Sequence, residues 1–136
     1  MKKPLNKIKL RGNDPTGHGY YGAKRGNRKH KGVDVVSVKG EKVFSMTHGV
    51  VTKIGYPYSD NLNFRYIEVT NDEYRIRYMY VEPTISLKDR IFEGDKIGLA
   101  QDIASYWNPN MLNHIHIETY KNGLLTDSEP LIISAE

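Results

Sequence analysis

Two histidines and a glutamate alternate with isoleucines in the segment NHIHIE, residues 113–118. Successive side chains of a β-strand point to opposite faces, so His114, His116 and Glu118 share one face, while the isoleucines indicate that the other face is buried. Two imidazoles on one face can do metal chemistry, because one ring can bind the metal while the other exchanges a proton with a reacting group. The alternative is a pair of histidines on a solvated strand face.

Another histidine precedes an aspartate by four residues in RKHKGVDVV, residues 28–36. Gly32 lies between His30 and Asp34 and permits a tight bend that brings imidazole and carboxylate together as the chain enters a strand. The alternative is a surface histidine beside a turn aspartate, a common arrangement that has no role in metal binding. Together with one of the two strand histidines, this pair forms a set of two nitrogens and one oxygen. Such a set leaves an open position for water, as catalytic zinc sites do, and predicts amide or ester hydrolysis.

Composition narrows both the class of protein and the kind of metal site. The 136 residues, 38% hydrophobic and 26% charged, are typical of one globular domain. The absence of cysteine excludes disulfides and thiolate ligands, so a metal must be bound by histidines and carboxylates. The net charge of +4 favours an anionic partner. Because aromatic residues are not interleaved with Lys and Arg as on a base-stacking surface, we do not expect nucleic acid to be that partner.

The elements that must position these residues are short strands. Runs of four to eight β-favouring residues alternate with Gly, Asn, Asp and Pro, and no segment of a dozen residues has helical spacing. We therefore predict a mostly β fold, a compact antiparallel sheet or sandwich-like single domain with few or no helices. The predicted strands are Val33–Val38, Lys42–Ser45, Gly49–Ile54, Tyr66–Thr70, Tyr74–Val81, Lys96–Ala100 and His114–Tyr120.

The segments outside these strands divide into an arm and a loop. Residues 1–19 are predicted to form a basic, glycine-rich N-terminal arm, and residues 20–136 the domain proper. Residues 101–113 are predicted to be a long loop that leads into the histidine strand and contributes to function. In the strand that reads RIRYMYVEP, alternation places Tyr80 on the inward face with Ile76 and Tyr78.

Five motifs occur in a fixed order, and the ordered set is far more specific than any single motif. HKGVD, GEKVFSMTHGVVTKIG, RYMYVEP, EGDKIGLAQ and NHIHIE resemble the lysostaphin/LytM-type zinc endopeptidases over roughly residues 20–120. Those enzymes cleave peptide cross-links of bacterial peptidoglycan, and their antiparallel β domain, the duplicated hybrid motif fold, holds one Zn²⁺ in a groove. The resemblance implies that His30, Asp34 and His116 bind one Zn²⁺ and that His114 is catalytic.

One departure from the family pattern falls on Tyr80. Active members of the family that this chain resembles usually carry a further catalytic histidine in a Y-x-H-L segment. The matching segment here is Tyr78-Met79-Tyr80-Val81, so a tyrosine stands in the place of that histidine. The same tyrosine occurs in a non-peptidase relative of the family. A phenol can donate a hydrogen bond to a developing oxyanion, but its ordinary pKa of about 10 makes it a poor base near pH 7.

Two functional hypotheses follow. The first is a zinc-dependent endopeptidase of peptidoglycan, in which the metal and His114 activate water and Tyr80 stabilises the oxyanion. Arg28, Tyr106 and Trp107 are predicted to contact the substrate, and Glu118 to orient a histidine ring. The alternative is a catalytically weak or inactive zinc-bound module that binds cell wall or a protein partner.

The expected place of action is the bacterial cell envelope. The basic N-terminal sequence MKKPLNKIKLRGND lacks the apolar run of a secretory signal, and no stretch has the apolar length of a membrane span. We therefore expect synthesis in the cytoplasm and delivery by a phage particle, a lysis system or a secretion apparatus.

Overall fold

Short β-strands make up most of the regular structure. The computed structural model describes the backbone of residues 1–14, 17–18, 24–25, 28–29 and 31–136, and the side chains of residues 1–12 and 31–136. The strands are β1 (Asn13–Asp14), β2 (Gly17–His18), β3 (Lys24–Arg25), β4 (Arg28–Lys29), β5 (Val33–Val36), β6 (Lys42–Phe44), β7 (Gly49–Gly55), β8 (Tyr66–Thr70), β9 (Tyr74–Met79), β10 (Val81–Pro83), β11 (Arg90–Ile91), β12 (Lys96–Ala100), β13 (His114–Lys121) and β14 (Leu124–Thr126). The helices are α1 (Ala104–Trp107) and α2 (Glu129–Ser134).

Two larger antiparallel sheets build the domain, and β1-β2 and β3-β4 each form a two-stranded sheet. The larger has the order β11-β7-β8-β9-β13-β14, with β5 also paired to β13, and the smaller has the order β10-β12-β6. Strand β13 is central to the larger sheet, because β9 pairs along one side of it and β5 and β14 pair along the other. This register places His116 opposite both Asp34 and Met79.

The hydrophobic core draws on one face of the larger sheet and on the smaller sheet. Ile115 and Ile117 are fully buried there, as the alternation of NHIHIE predicts, together with Val43 and Ile97 of the smaller sheet. Burying each such aliphatic side chain stabilises the fold by about 1.5–3 kcal/mol. The other face of the larger sheet carries the polar members of the same strands.

The first eleven residues pack against this framework. Leu5 is fully buried in the core, and Leu10 forms an isolated antiparallel bridge with Val35 of β5. The backbone N–H of Arg11 donates to the carbonyl of Asp34 at 2.9 Å. The segment therefore runs beside β5 and brings Arg11 to the polar face of the sheet. The boundary predicted after residue 19 lies outside the described residues.

The predicted mostly β antiparallel fold is confirmed, and the predicted strands occur with end shifts of at most two residues. The exception is the strand predicted at Tyr74–Val81, which ends at Met79 and resumes as β10 in the other sheet. The predicted loop at residues 101–113 contains helix α1, whose four residues are too few to show helical periodicity. Among the described residues, neither helix has the length or apolar character needed to cross a bilayer.

Candidate functional site

A cleft of about 1000 Å³ lies over the polar face of the larger sheet. Strands β5, β9 and β13 contribute its floor, and the segments around Tyr58 and helix α1 contribute a wall. The side chains that matter for chemistry are among those that line it: Arg11, Asp34, Tyr58, Tyr80, Trp107, His114, His116 and Glu118. The sheet register therefore brings together Asp34 of β5 and Glu118 of β13, which are 84 positions apart in the sequence.

His116 lies between two buried carboxylates. Its Nδ1 is 2.9 Å from Oδ1 of Asp34, and its Nε2 is 3.0 Å from Oε2 of Glu118. Because ionised carboxylate oxygens only accept hydrogen bonds, two such contacts require either an imidazolium or a cation beside one ring nitrogen. Burial opposes the charged ring, but the hydrogen bonds to the two carboxylates outweigh it and raise the pKa of His116 to about 9. The two carboxylates thus make this a pocket that attracts positive charge.

Asp34 and His116 fit a zinc ion as ligands. Their Oδ1 and Nδ1 atoms are close to the separation of about 3.3 Å that two ligands with bonds of ~2.0–2.1 Å have in a tetrahedral site. Donation from Nε2 to Glu118 would leave the Nδ1 lone pair to bind a metal, an arrangement in which a carboxylate orients a ligating ring. The third predicted ligand, His30, lies outside the described residues. Within the part of the chain that the structure describes, no three His, Cys, Asp or Glu side chains form a complete metal site.

His114 is placed as a neutral base beside this pair. Its Nδ1 is 2.8 Å from the carbonyl oxygen of Leu112, which can only accept, so Nδ1 carries the proton and Nε2 has a lone pair. Nε2 is 3.6 Å from Oδ2 of Asp34, beyond hydrogen-bond distance. Burial lowers the pKa of His114 from its ordinary value, so the ring is neutral near pH 7.

Tyr80 departs from its predicted place on the strand. Its φ of 65° is in the left-handed region, and both its N–H and that of Val81 donate to the carbonyl of Arg65, as in a β-bulge. The alternation is therefore broken: Val81 takes the buried position, and Tyr80 lines the cleft instead of facing inward with Tyr78. The prediction of an inward Tyr80 was wrong because a residue pattern of period two does not reveal a bulge.

The Tyr80 ring lies against the catalytic candidate His114 in an edge-to-face arrangement, with ring centroids 5.7 Å apart. Its hydroxyl is 2.8 Å from the hydroxyl of Tyr58, which in turn accepts the indole N–H of Trp107 at 3.0 Å. Burial raises the pKa of Tyr80 above its ordinary value. The phenol therefore stays protonated near pH 7 and can act as a hydrogen-bond donor.

Of the residues predicted to contact substrate, Trp107 lines the cleft and Tyr106 does not. Trp107 lines the cleft and is 54% exposed, whereas Tyr106 packs its ring on Phe64 at 5.2 Å and is 42% exposed. Arg28 belongs to β4, but its side chain lies outside the described set. Trp107 is thus the residue of this predicted set whose described side chain is accessible from the cleft.

Gly32 and Asn113 help to position the elements that form the site. A Cβ at Gly32 would lie 2.3 Å from the backbone oxygen of Ile117 and 2.8 Å from Nε2 of His116, so a glycine is needed where the chain enters β5. Asn113 accepts hydrogen bonds from the N–H groups of Ile103 and Ala104, which anchors helix α1 to the start of β13.

Sequence reasoning missed Arg11 and Tyr58 as members of the site. Arg11 sits in the N-terminal segment, 23 positions before the carboxylate that its side chain contacts at 2.9 Å. Tyr58 reaches Tyr80 from the segment after β7. No spacing rule connects either residue to its partner, because both contacts arise only when separate strands and loops are assembled.

Comparisons with known proteins identify the family of this chain. The sequence profile of Peptidase family M23 matches residues 28–128. Leukocyte cell-derived chemotaxin-2 of Bos taurus is 30% identical over 106 residues, which cover 77% of this chain and 69% of that protein. Since the profile covers most of the chain, the protein belongs to Peptidase family M23.

Two solved structures share the fold. The antimicrobial peptidase lysostaphin from Staphylococcus simulans superposes with a TM-score of 0.72 at 22% identity, covering 98% of this chain and 53% of that one. A zinc containing peptidase from Vibrio cholerae gives a TM-score of 0.62 at 22% identity, covering 91% and 37%. The chain therefore spans about half of lysostaphin and little more than a third of the Vibrio protein.

Proposed function

We propose that this protein is a zinc-dependent endopeptidase that hydrolyses peptide cross-links of bacterial peptidoglycan. The observation that carries the proposal is the cleft in which the Asp34–His116–Glu118 chain and the neutral base His114 lie together on one sheet face. Membership of a peptidase family and the shared fold with the antimicrobial peptidase lysostaphin support it. The similar fold of a zinc containing peptidase supports zinc as the metal.

The metal would be held by Asp34, His116 and, by resemblance to the family, His30. When bound there, zinc supplies Lewis-acid chemistry: it acidifies a water molecule and polarises a carbonyl group. Glu118 holds the His116 ring in place by accepting its Nε2 proton. Asp34, His116 and Glu118 are buried, which strengthens the electrostatic interactions among them.

His114 and Tyr80 carry the proton transfer and the charge stabilisation. The Nε2 lone pair of His114 takes the proton from the attacking water and later returns it to the leaving amine. The Tyr80 hydroxyl donates a hydrogen bond to the oxyanion that develops on the substrate carbonyl. In this assignment one histidine does the base work alone, since the phenol is protonated near pH 7.

Metal analysis coupled to a peptidoglycan-release assay tests the proposal on the wild-type chain and on His114→Ala. We expect about one zinc per chain, measurable release by wild type, and a loss of roughly 10²–10⁴ in rate for His114→Ala with zinc retained. Lysostaphin in parallel confirms that the wall preparations are cleavable. Zinc-loaded wild type that releases nothing from walls of several cross-link types would contradict the proposal.

A second candidate function is a zinc-bound module that binds cell wall or a protein partner without cleaving it. Tyr80 favours this candidate, because active members of the family usually have a catalytic histidine at this position. Tyr80→His distinguishes the two: a gain in cleavage rate marks a slow enzyme, whereas co-sedimentation with walls and no cleavage by wild type, Tyr80→His or Tyr80→Phe marks a binding module.

A further inference from the structure

A buried arginine lies directly behind the carboxylate of the metal-binding pair. The side chain of Arg11 is 4% exposed, and its Nη1 donates to Oδ2 of Asp34 at 2.9 Å. The backbone contact between the same two residues, N–H to carbonyl at 2.9 Å, fixes the position of the arginine relative to β5. Arginine side chains are rarely buried without a partner, and Arg11 is fixed by both its backbone and its side chain. It therefore belongs to the structure of the site.

The two oxygens of Asp34 face different partners. Oδ1 points to Nδ1 of His116, the atom that would bind the metal, and Oδ2 points to Arg11. His114 is 3.6 Å from the same Oδ2, so it does not replace the arginine as a hydrogen-bond donor. The contact with Arg11 therefore sets the plane of the carboxylate and presents Oδ1 towards His116.

We propose that Arg11 is a positioning residue of the metal site, which acts through Asp34 and sets how tightly the chain holds zinc. This inference rests on the proposed function, because it takes Asp34 and His116 as zinc ligands. Groups that orient ligands from outside the coordination sphere typically change metal affinity or activity by 10–100-fold.

Two effects of Arg11 oppose each other. Its positive charge repels a nearby cation, so loss of the charge alone would tighten zinc binding. Its hydrogen bond holds the ligand carboxylate in the binding orientation, so loss of the bond weakens zinc binding and leaves a buried carboxylate oxygen with one contact fewer. We expect orientation to be the larger effect, because Arg11 contacts Oδ2 directly while the negative charge of the Asp34 carboxylate lies between the guanidinium and the His116 ring.

The test measures the Kd for Zn²⁺ by competition with a chromogenic chelator on the full chain. We expect Arg11→Met, which keeps the length of the stem but lacks donors and charge, to bind zinc about 10–100-fold more weakly than wild type. Arg11→Lys, which keeps the charge but lacks the planar fork, should fall between the two. The visible spectrum of the Co²⁺-loaded variants, which reports coordination geometry, should change with Arg11→Met.

Arg75→Met is the matched control, because Arg75 also contacts a carboxylate on this sheet face but that carboxylate, Glu68, is not a proposed ligand. Circular dichroism shows which variants fold; if Arg11→Met does not, the Kd of Arg11→Lys decides. A folded Arg11 variant with wild-type or tighter zinc affinity overturns the inference alone. Wild type that binds no zinc overturns the proposed function and this inference with it.

Discussion

Tyr80 is held by a chain of hydrogen bonds that the cleft wall supplies. The indole N–H of Trp107 can only donate, so the oxygen of Tyr58 accepts from it. Tyr58 keeps its own proton, which it can donate to Tyr80 across the 2.8 Å contact between the two hydroxyls. In that arrangement the Tyr80 proton is available to a substrate oxygen in the cleft. The left-handed backbone at Tyr80 directs the ring there.

Tyr58→Phe tests this hydrogen-bond chain. We expect kcat for peptidoglycan release to fall about fivefold, because one hydrogen bond of roughly 1 kcal/mol that orients the donor is lost. Zinc affinity should be unchanged, since the Tyr58 hydroxyl is part of the wall and not of the Asp34–His116 pair. Tyr74→Phe, which alters a tyrosine of β9 outside the cleft lining, serves as the control. Unchanged kcat in Tyr58→Phe, with a clear loss in Tyr80→Phe, would show that Tyr80 needs no such support.

The strand pair β8–β9 carries a charged cluster on the same face as the cleft. Glu68 accepts from Nε of Arg77 at 2.8 Å and from the hydroxyl of Thr52 at 2.8 Å, and its side chain is 8% exposed. Arg77 also lines the cleft, and its guanidinium lies 5.3 Å from the ring centroid of Tyr66. The cluster links three adjacent strands, so it stiffens the floor on which the site is built. Burial alone would raise the pKa of Glu68, but the hydrogen bonds from Arg77 and Thr52 outweigh it and lower the pKa below 4.5.

Glu68→Gln should make stability depend less on pH. Because the folded-state pKa of Glu68 is depressed, its contribution is fully present above about pH 4.5 and is lost as the pH falls through the folded-state value. We expect the variant to be less stable than wild type by about 1–3 kcal/mol at pH 7, and the difference to shrink towards zero in acid. Urea unfolding of both chains at pH 7 and pH 3 measures this. A difference of the same size at both pH values would mean that packing, not charge, explains the effect.

The hydrophobic core and the candidate metal centre lie on opposite faces of the larger sheet. Ile115 and Ile117 of β13 point into the core, whereas His114 and His116 of the same strand point into the cleft. The first eleven residues connect the two regions, since Leu5 is buried in the core and Arg11 reaches Asp34. The described core is thus assembled without contributions from the side chains proposed to bind metal. This separation distinguishes the molecule from small domains whose metal replaces a core.

Removal of zinc should therefore leave the fold intact. We expect chelator-treated protein to keep its far-UV circular dichroism and a cooperative thermal transition, with a lower Tm because zinc binds the native state preferentially. At a zinc concentration of 1,000 times Kd, the linkage amounts to about 4 kcal/mol. Restoring zinc should restore the Tm. Loss of the transition on chelation would show instead that the metal is structural, which would favour the binding-module hypothesis.

Much of this architecture can be predicted from local patterns. The strands alternate with a period of two, so NHIHIE alone indicates which residues of β13 are buried and which face the cleft. The glycine of HKGVD is predicted at a tight bend, and a Cβ there would indeed collide with Ile117 and His116. These features depend on residue type and on neighbours along the chain.

Other features were decided only when distant segments met. Tyr80 turned out of the core because the chain bulges against Arg65 as it passes from one sheet to the other, an event that alternation does not encode. Arg11 and Tyr58 joined the site because the N-terminal segment runs beside β5 and because the segment after β7 reaches Tyr80. The physical reason is that hydrogen bonds and ion pairs act over a few ångströms in space, whatever the separation along the chain. Sequence patterns therefore specify which residues can do chemistry, and the packing of the sheets selects the partners that orient them.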